Sequence, residues 1–225
     1  MNPLRLLPCL GMALMLCNVA PAQTPQARVV VSGFEPFGGR TLNASWVLAG
    51  EIKKQNPGVK LVQVPVVWGA PLKAIRSVKP APEVWIAFGE GTREFQIELL
   101  GHNKRGQHPD NNGAQPAAPD IVADAPAVLE NGISADALAS ALTSKGFPTL
   151  VSRNAGSYLC EEMLYSLLYA KQQSAGIMKV VMFVHVPTLE SEIGRAGGQK
   201  VDPAYLAGFG RQLFVELAKL GLTGG

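Results

Sequence analysis

Cys160 stands near the start of an expected helix, just after the Asn154-Ala155-Gly156 turn of "VSRNAGSYLCEEMLY". A thiol there can be a small buried hydrophobe, half of a disulfide, a metal ligand or a nucleophile. If Ser157 caps the helix, Cys160 lies in its first turn. Free backbone N–H groups and the helix dipole favour an anion at that place. Glu161 and Glu162 oppose this, because one carboxylate at about 6 Å disfavours a thiolate by roughly 0.7–2.8 kcal/mol. A protonated imidazole nearby would offset them, so a reactive thiol in this setting needs a histidine.

The chain has three histidines. His102 and His108 fall in a polar loop. His185 ends an apolar strand, immediately before Val186-Pro187. A cysteine and a histidine at different strand ends match the thiol–imidazole pair of nucleophilic catalysis, close in space and distant in sequence. Glu98, in "REFQIELLGHN", is the carboxylate chosen to orient the imidazole. Zinc held by Cys160, His102 and His185 is the rival arrangement, but no Cys/His pair has zinc-like spacing. No metal or cofactor is expected.

These residues need a scaffold that brings them together. Short, continuously apolar, β-branched runs over 27–33, 59–68, 83–89, 149–153 and 179–187 predict strands. Amphipathic stretches over 44–55, 71–78, 135–146, 158–173 and 203–221 predict helices, the third ended by Gly146. Strands that are apolar on both faces belong in a parallel sheet covered on both sides. The alternation predicts a three-layer α/β/α sandwich with a mostly parallel central sheet, in one domain. Ligands of such sheets sit at strand ends. The polar, Gly/Pro/Asn-rich stretch 101–130 is too irregular to assign, and long irregular connections are often functional.

The first 22 residues are expected to be separate from the fold. Arg5, an apolar run from Leu6 to about Val19 and then Ala20-Pro21-Ala22 read as a cleaved secretory signal, leaving residues 23–225 as the exported domain. The apolar run is short for a membrane anchor and is interrupted by Pro8 and Gly11, so no membrane span is expected after cleavage. Cleavage removes Arg5 and no acid, which lowers the formal charge from +3 to +2. It also removes Cys9 and Cys17, so Cys160 is left alone and an intramolecular disulfide is excluded. A mild charge without Lys/Arg runs gives no case for nucleic acid.

Several segments, in order, resemble the pyroglutamyl peptidase I family. "VVVSGFEPFGGRTLNASW" (29–46) is similar to its opening motif, with Ser32 in place of Thr. "SRNAGSYLCEEMLY" is similar to its nucleophile segment, and "FVHVP" (183–187) to its histidine segment. "HPDNNGAQP" (108–116) and "IELLGHN" resemble two further family loops. The resemblance implies a cysteine exopeptidase that removes an N-terminal pyroglutamyl residue from peptides. Cys160 would be the nucleophile, His185 the general base and acid, and Glu98 the group orienting it. Phe34 and Phe37 would flank the flat lactam ring, and a homotetramer would be expected.

Three departures stand out. The family's Gln after the first glycine of its G-x-A-G-G-R loop is here Glu90, in the shorter "GEGTR". The Asn after the nucleophile is Glu161. The family's arginine before Pro109 has no clear counterpart, with Arg105 the nearest candidate. Glu90, facing the substrate ring, can accept the lactam N–H but cannot donate to the lactam oxygen while ionised. The alternative is a non-catalytic or altered-specificity protein that binds a cyclic amide or peptide ligand.

Overall fold

The computed structural model describes residues 29–193 and 198–221. The secretory-signal reading therefore lies outside the described residues. The strands are β1 (Val29–Phe34), β2 (Lys60–Val64), β3 (Val84–Thr92), β4 (Phe95–Glu98), β5 (Leu100–His102), β6 (Val128–Glu130), β7 (Thr149–Ser152), β8 (Val180–Pro187), β9 (Glu192–Ile193) and β10 (Gln199–Lys200). The helices are α1 (Ala44–Gln55), α2 (Ala70–Ser77), α3 (Ala135–Ser144), α4 (Leu159–Gln173) and α5 (Pro203–Lys219).

Six strands form one sheet in the order β2-β1-β3-β8-β4-β7. All neighbours pair in parallel except β4 and β8, which are antiparallel. Successive residues of the central strands point to opposite faces. Ile86 and Phe88 of β3 join Met182 and Val184 of β8 in a core with Leu48, Leu142 and Phe209 from α1, α3 and α5. Trp85 and Ala87 join Val181 and Phe183 in a second core with Ile75, Met163 and Leu167 from α2 and α4. This two-sided burial is why the strands read as unbroken apolar runs, and the layers are the α/β/α sandwich expected from the sequence.

The differences have local causes. β2 stops at Val64, because Pro65 has no N–H to continue the ladder. The helix carrying Cys160 is capped by extended Tyr158, with no side-chain cap, rather than by Ser157. Within 101–130, β5 and β6 pair as an antiparallel two-stranded sheet. β4, four residues long and without an apolar run of its own, is the strand that delivers Glu98 and has no clear sequence signal. No helix among the described residues is long and apolar enough to cross a membrane.

Candidate active site

The loop after β1 is fixed from within. Asn43 caps α1, its Oδ1 accepting from Ser45 N at 2.9 Å and from Ser45 Oγ at 2.7 Å. Ser45 Oγ in turn accepts from Phe34 N at 3.0 Å, and Asn43 Nδ2 donates to Glu35 O at 3.0 Å. A Cβ on Gly33 would lie 2.5 Å from the Ser45 carbonyl oxygen, so only glycine lets β1 approach α1 this closely. Glu35 Oε1 accepts from Val66 N at 2.9 Å and from Asn111 Nδ2 at 3.1 Å. These bonds hold Phe34 and Phe37 in the wall of one small pocket of about 270 Å³.

The same pocket is lined by Tyr158, Cys160, Glu90 and His185. Tyr158 is a further aromatic wall, and its place two residues before the thiol is the signal that marks it in the sequence. Its ring meets Trp68 edge-on at 5.2 Å, and its hydroxyl donates to Pro109 O at 3.0 Å. Cys160, half-buried, lies in the first turn of α4, where the opening N–H groups have no side-chain cap. Gly89 of β3 leaves room for it, because a Cβ there would stand 2.8 Å from Cys160 Sγ.

His185 Nδ1 lies 2.8 Å from Glu98 Oε1, and Glu98 is fully buried. Antiparallel pairing produces this contact, with Gln96 opposite His185 and Ile97 opposite Val184. Holding Nδ1 on the carboxylate leaves Nε2 available to the thiol. Burial pulls the imidazole pKa down. The Cys160 thiolate and Glu98 outweigh that, by charge and by hydrogen bonding, and hold it up at about 10. The arrangement can keep an imidazolium beside a thiolate and deliver a proton to a leaving group. Thus Cys160, His185 and Glu98 come together as expected, with Phe34 and Phe37 beside them.

Glu161 and Glu162 are both buried, and their carboxylates are bound by partners outside the pocket that Cys160 lines. Glu161 accepts from His102 N at 2.6 Å and faces His102 Nδ1 at 3.4 Å. Burial raises its pKa against those bonds. Glu162 accepts from Gly69 N at 2.8 Å and from Arg105 through Nε at 2.9 Å and Nη2 at 3.1 Å. Arg105 is therefore an anchor for α4 and stays off the pocket wall. His102 faces Glu161 and does not line the pocket of Cys160 and His185. Among the described residues no group of three or more His, Cys, Asp or Glu side chains could hold a metal ion.

Glu90 lines the pocket as expected, but it is not a bare carboxylate. Its Oε2 accepts from Ala44 N, the first residue of α1, and its Oε1 pairs with Arg40 Nη2. Burial raises its pKa, while the Ala44 N–H, Arg40 and Thr188 pull the other way. Arg40 also sits over the Phe37 ring, 5.8 Å from its centroid. No motif pointed to Arg40.

The profile of the pyroglutamyl peptidase family matches residues 27–204. Pyrrolidone-carboxylate peptidase of Enterobacter sp. (strain 638) is 34% identical over 182 residues, covering 76% of this chain and 82% of its own. The pyrrolidone carboxyl peptidase structure from Fervidobacterium islandicum AW-1 superposes with a TM-score of 0.73 at 25% identity, covering 87% of this chain and 99% of that one. Pyroglutamyl peptidase I of Bacillus amyloliquefaciens shares the fold, with a TM-score of 0.73 at 24% identity over 86% of this chain and 98% of that one. The protein is thus a hydrolase, a peptidase of the cysteine class. It belongs to the pyroglutamyl peptidase family.

Proposed function

We propose that the protein removes an N-terminal pyroglutamyl residue from peptides through a Cys160–His185–Glu98 site and an acyl-enzyme. The observation that carries this reading is the contact of buried Glu98 with His185, which lines one pocket together with Cys160, Phe34, Phe37 and Tyr158. A pocket of about 270 Å³ is below the usual range of roughly 300–1,000 Å³ for larger ligands, and suits one flat five-membered ring.

The Cys160 thiolate attacks the carbonyl carbon joining pyroglutamate to the next residue. Backbone N–H groups opening α4 receive the oxyanion. The His185 imidazolium gives its proton to the leaving amine, and the C–N bond breaks as the thioester forms. His185, now neutral, takes a proton from water, which attacks the thioester. Free pyroglutamate leaves, and the thiolate–imidazolium pair is restored. Glu98 holds the imidazole tautomer and balances its charge throughout.

The test is hydrolysis of a fluorogenic pyroglutamyl amide. Wild type should cleave it, iodoacetamide should abolish cleavage by alkylating Cys160, and Cys160→Ala should be inactive. Activity that survives Cys160→Ala would overturn the assignment. The reading includes export, with the mature chain starting at Gln23, which intact-mass measurement of the native protein checks. It also includes a homotetramer, which light scattering checks.

A further inference from the structure

We propose that Arg40 is a specificity-determining residue, which neutralises Glu90 in the pocket wall so that the site accepts an uncharged ring and rejects a cationic one of the same size. The inference rests on the pyroglutamyl reading of this pocket. It concerns the one pocket position where the sequence departs from the family's neutral amide.

Glu90 is buried, and its side chain has almost no contact with solvent. A lone carboxylate there would oppose a thiolate in the same pocket and would attract a cation. The structure supplies three compensating groups, one of them the Thr188 side chain, which hydrogen-bonds to Glu90. The N–H of Ala44 is an unpaired donor at the positive end of α1 and binds Oε2. The Arg40 guanidinium pairs with Oε1 while lying over Phe37. Arg40 therefore joins two pocket walls, the charged one and the aromatic one. A pocket-wall carboxylate with a guanidinium paired behind it offers an acceptor with no net charge, which complements the N–H of an uncharged cyclic amide.

The pair also excludes a competitor. An N-terminal prolyl residue has a five-membered ring of the same size, but its nitrogen is a cationic secondary amine. An uncompensated Glu90 would bind that cation. Compensated by Arg40, it has no charge to offer, and the guanidinium repels the ammonium. Rejection of this kind is set by a repulsive element as much as by an attractive one.

The experiment uses the full-length protein, a fluorogenic pyroglutamyl amide as substrate and prolinamide as competitive inhibitor. Variants are Arg40→Gln, Glu90→Gln and the double variant, with Arg40→Lys as the charge-conserving control. Arg40→Gln should raise KM for the pyroglutamyl amide and lower the inhibition constant of prolinamide, each by about tenfold, the scale expected when a buried charge loses a half-exposed partner. Adding Glu90→Gln should return both constants toward wild type, and Arg40→Lys should stay near wild type. A purely structural role for Arg40 would not be rescued by removing the opposite charge. Unchanged constants in Arg40→Gln, or a double variant no better than Arg40→Gln, would overturn the inference while leaving pyroglutamyl hydrolysis by wild type intact. A wild type that leaves the pyroglutamyl amide uncut overturns the functional reading and this inference with it.

Discussion

Glu98 reaches His185 Nδ1 at 2.8 Å because its strand runs antiparallel to the strand that carries the histidine. The carboxylate is fully buried and its Oε2 has no hydrogen-bond partner among the described residues, so its charge is directed at the imidazole. Glu98→Gln keeps the shape but removes the charge that supports the imidazolium. It should lower kcat by at least about a hundredfold with a smaller effect on KM. Steady-state kinetics on a pyroglutamyl amide check this, and an equal loss in KM would mean that Glu98 positions substrate instead.

The pH dependence follows from His185. Its pKa in the folded protein, about 10, lies above its usual value because the Cys160 thiolate and Glu98 overcome the effect of burial. The value belongs to the thiol–imidazole pair as a unit. The proton needed by the leaving amine should therefore remain available across neutral pH. kcat/KM should hold up to a pH near 10 and fall above it. Stability has the same sign. Below the unfolded value of about 6.5 the stabilisation is complete. It declines as pH rises and is lost on passing the folded value of about 10. Melting temperatures of wild type and Cys160→Ala across this range should converge at the alkaline end.

Much of this was legible in the sequence because it depends on local signals. α1 has the predicted bounds, since Asn43 caps its start and Asn56 ends it. The central strands were readable because both faces are buried. β4 was not, because "FQIE" is four residues long and merges into "LLGHN" without a turn signal. Glu98 could be chosen by its chemistry, but its geometry depends on pairing with a strand almost ninety residues away. Arg40 and the fates of Glu161 and Glu162 were hidden for the same reason. A charged residue beside a nucleophile looks like an electrostatic cost until its partner is known, and His102, Arg105 and Gly69 are all distant in sequence.

Gly89 gives a steric prediction. A methyl group there would stand 2.8 Å from Cys160 Sγ and press on the Phe183 ring. The thiol, at the end of a short side chain, must move. A displacement of about 1 Å can cost roughly a hundredfold in rate. Gly89→Ala should lose activity on that scale while alkylation of Cys160 persists, at a stability cost of about 1–3 kcal/mol from overpacking. Full activity in Gly89→Ala would show that the thiol works from another position.

The last prediction concerns how the nucleophile helix is held. Glu162 lies two residues after Cys160 and accepts a two-pronged bond from Arg105, at 2.9 and 3.1 Å, and a third bond from Gly69 N at 2.8 Å. Both partners of the ion pair are largely buried. Removing one leaves a buried charge without its counterpart, which costs about 3–5 kcal/mol. Glu162→Gln alone should therefore lower the melting temperature sharply and reduce kcat, because the first turn of α4 loses its tie to the 101–130 loop. Glu162→Gln combined with Arg105→Met removes the stranded cation, and the glutamine oxygen can still accept from Gly69 N. The double variant should recover most of the stability but less of the activity, since the loop no longer fixes the helix start. If the double variant is no more stable than Glu162→Gln, the loss comes from the altered hydrogen bonds of Glu162 and not from the unpaired charge of Arg105.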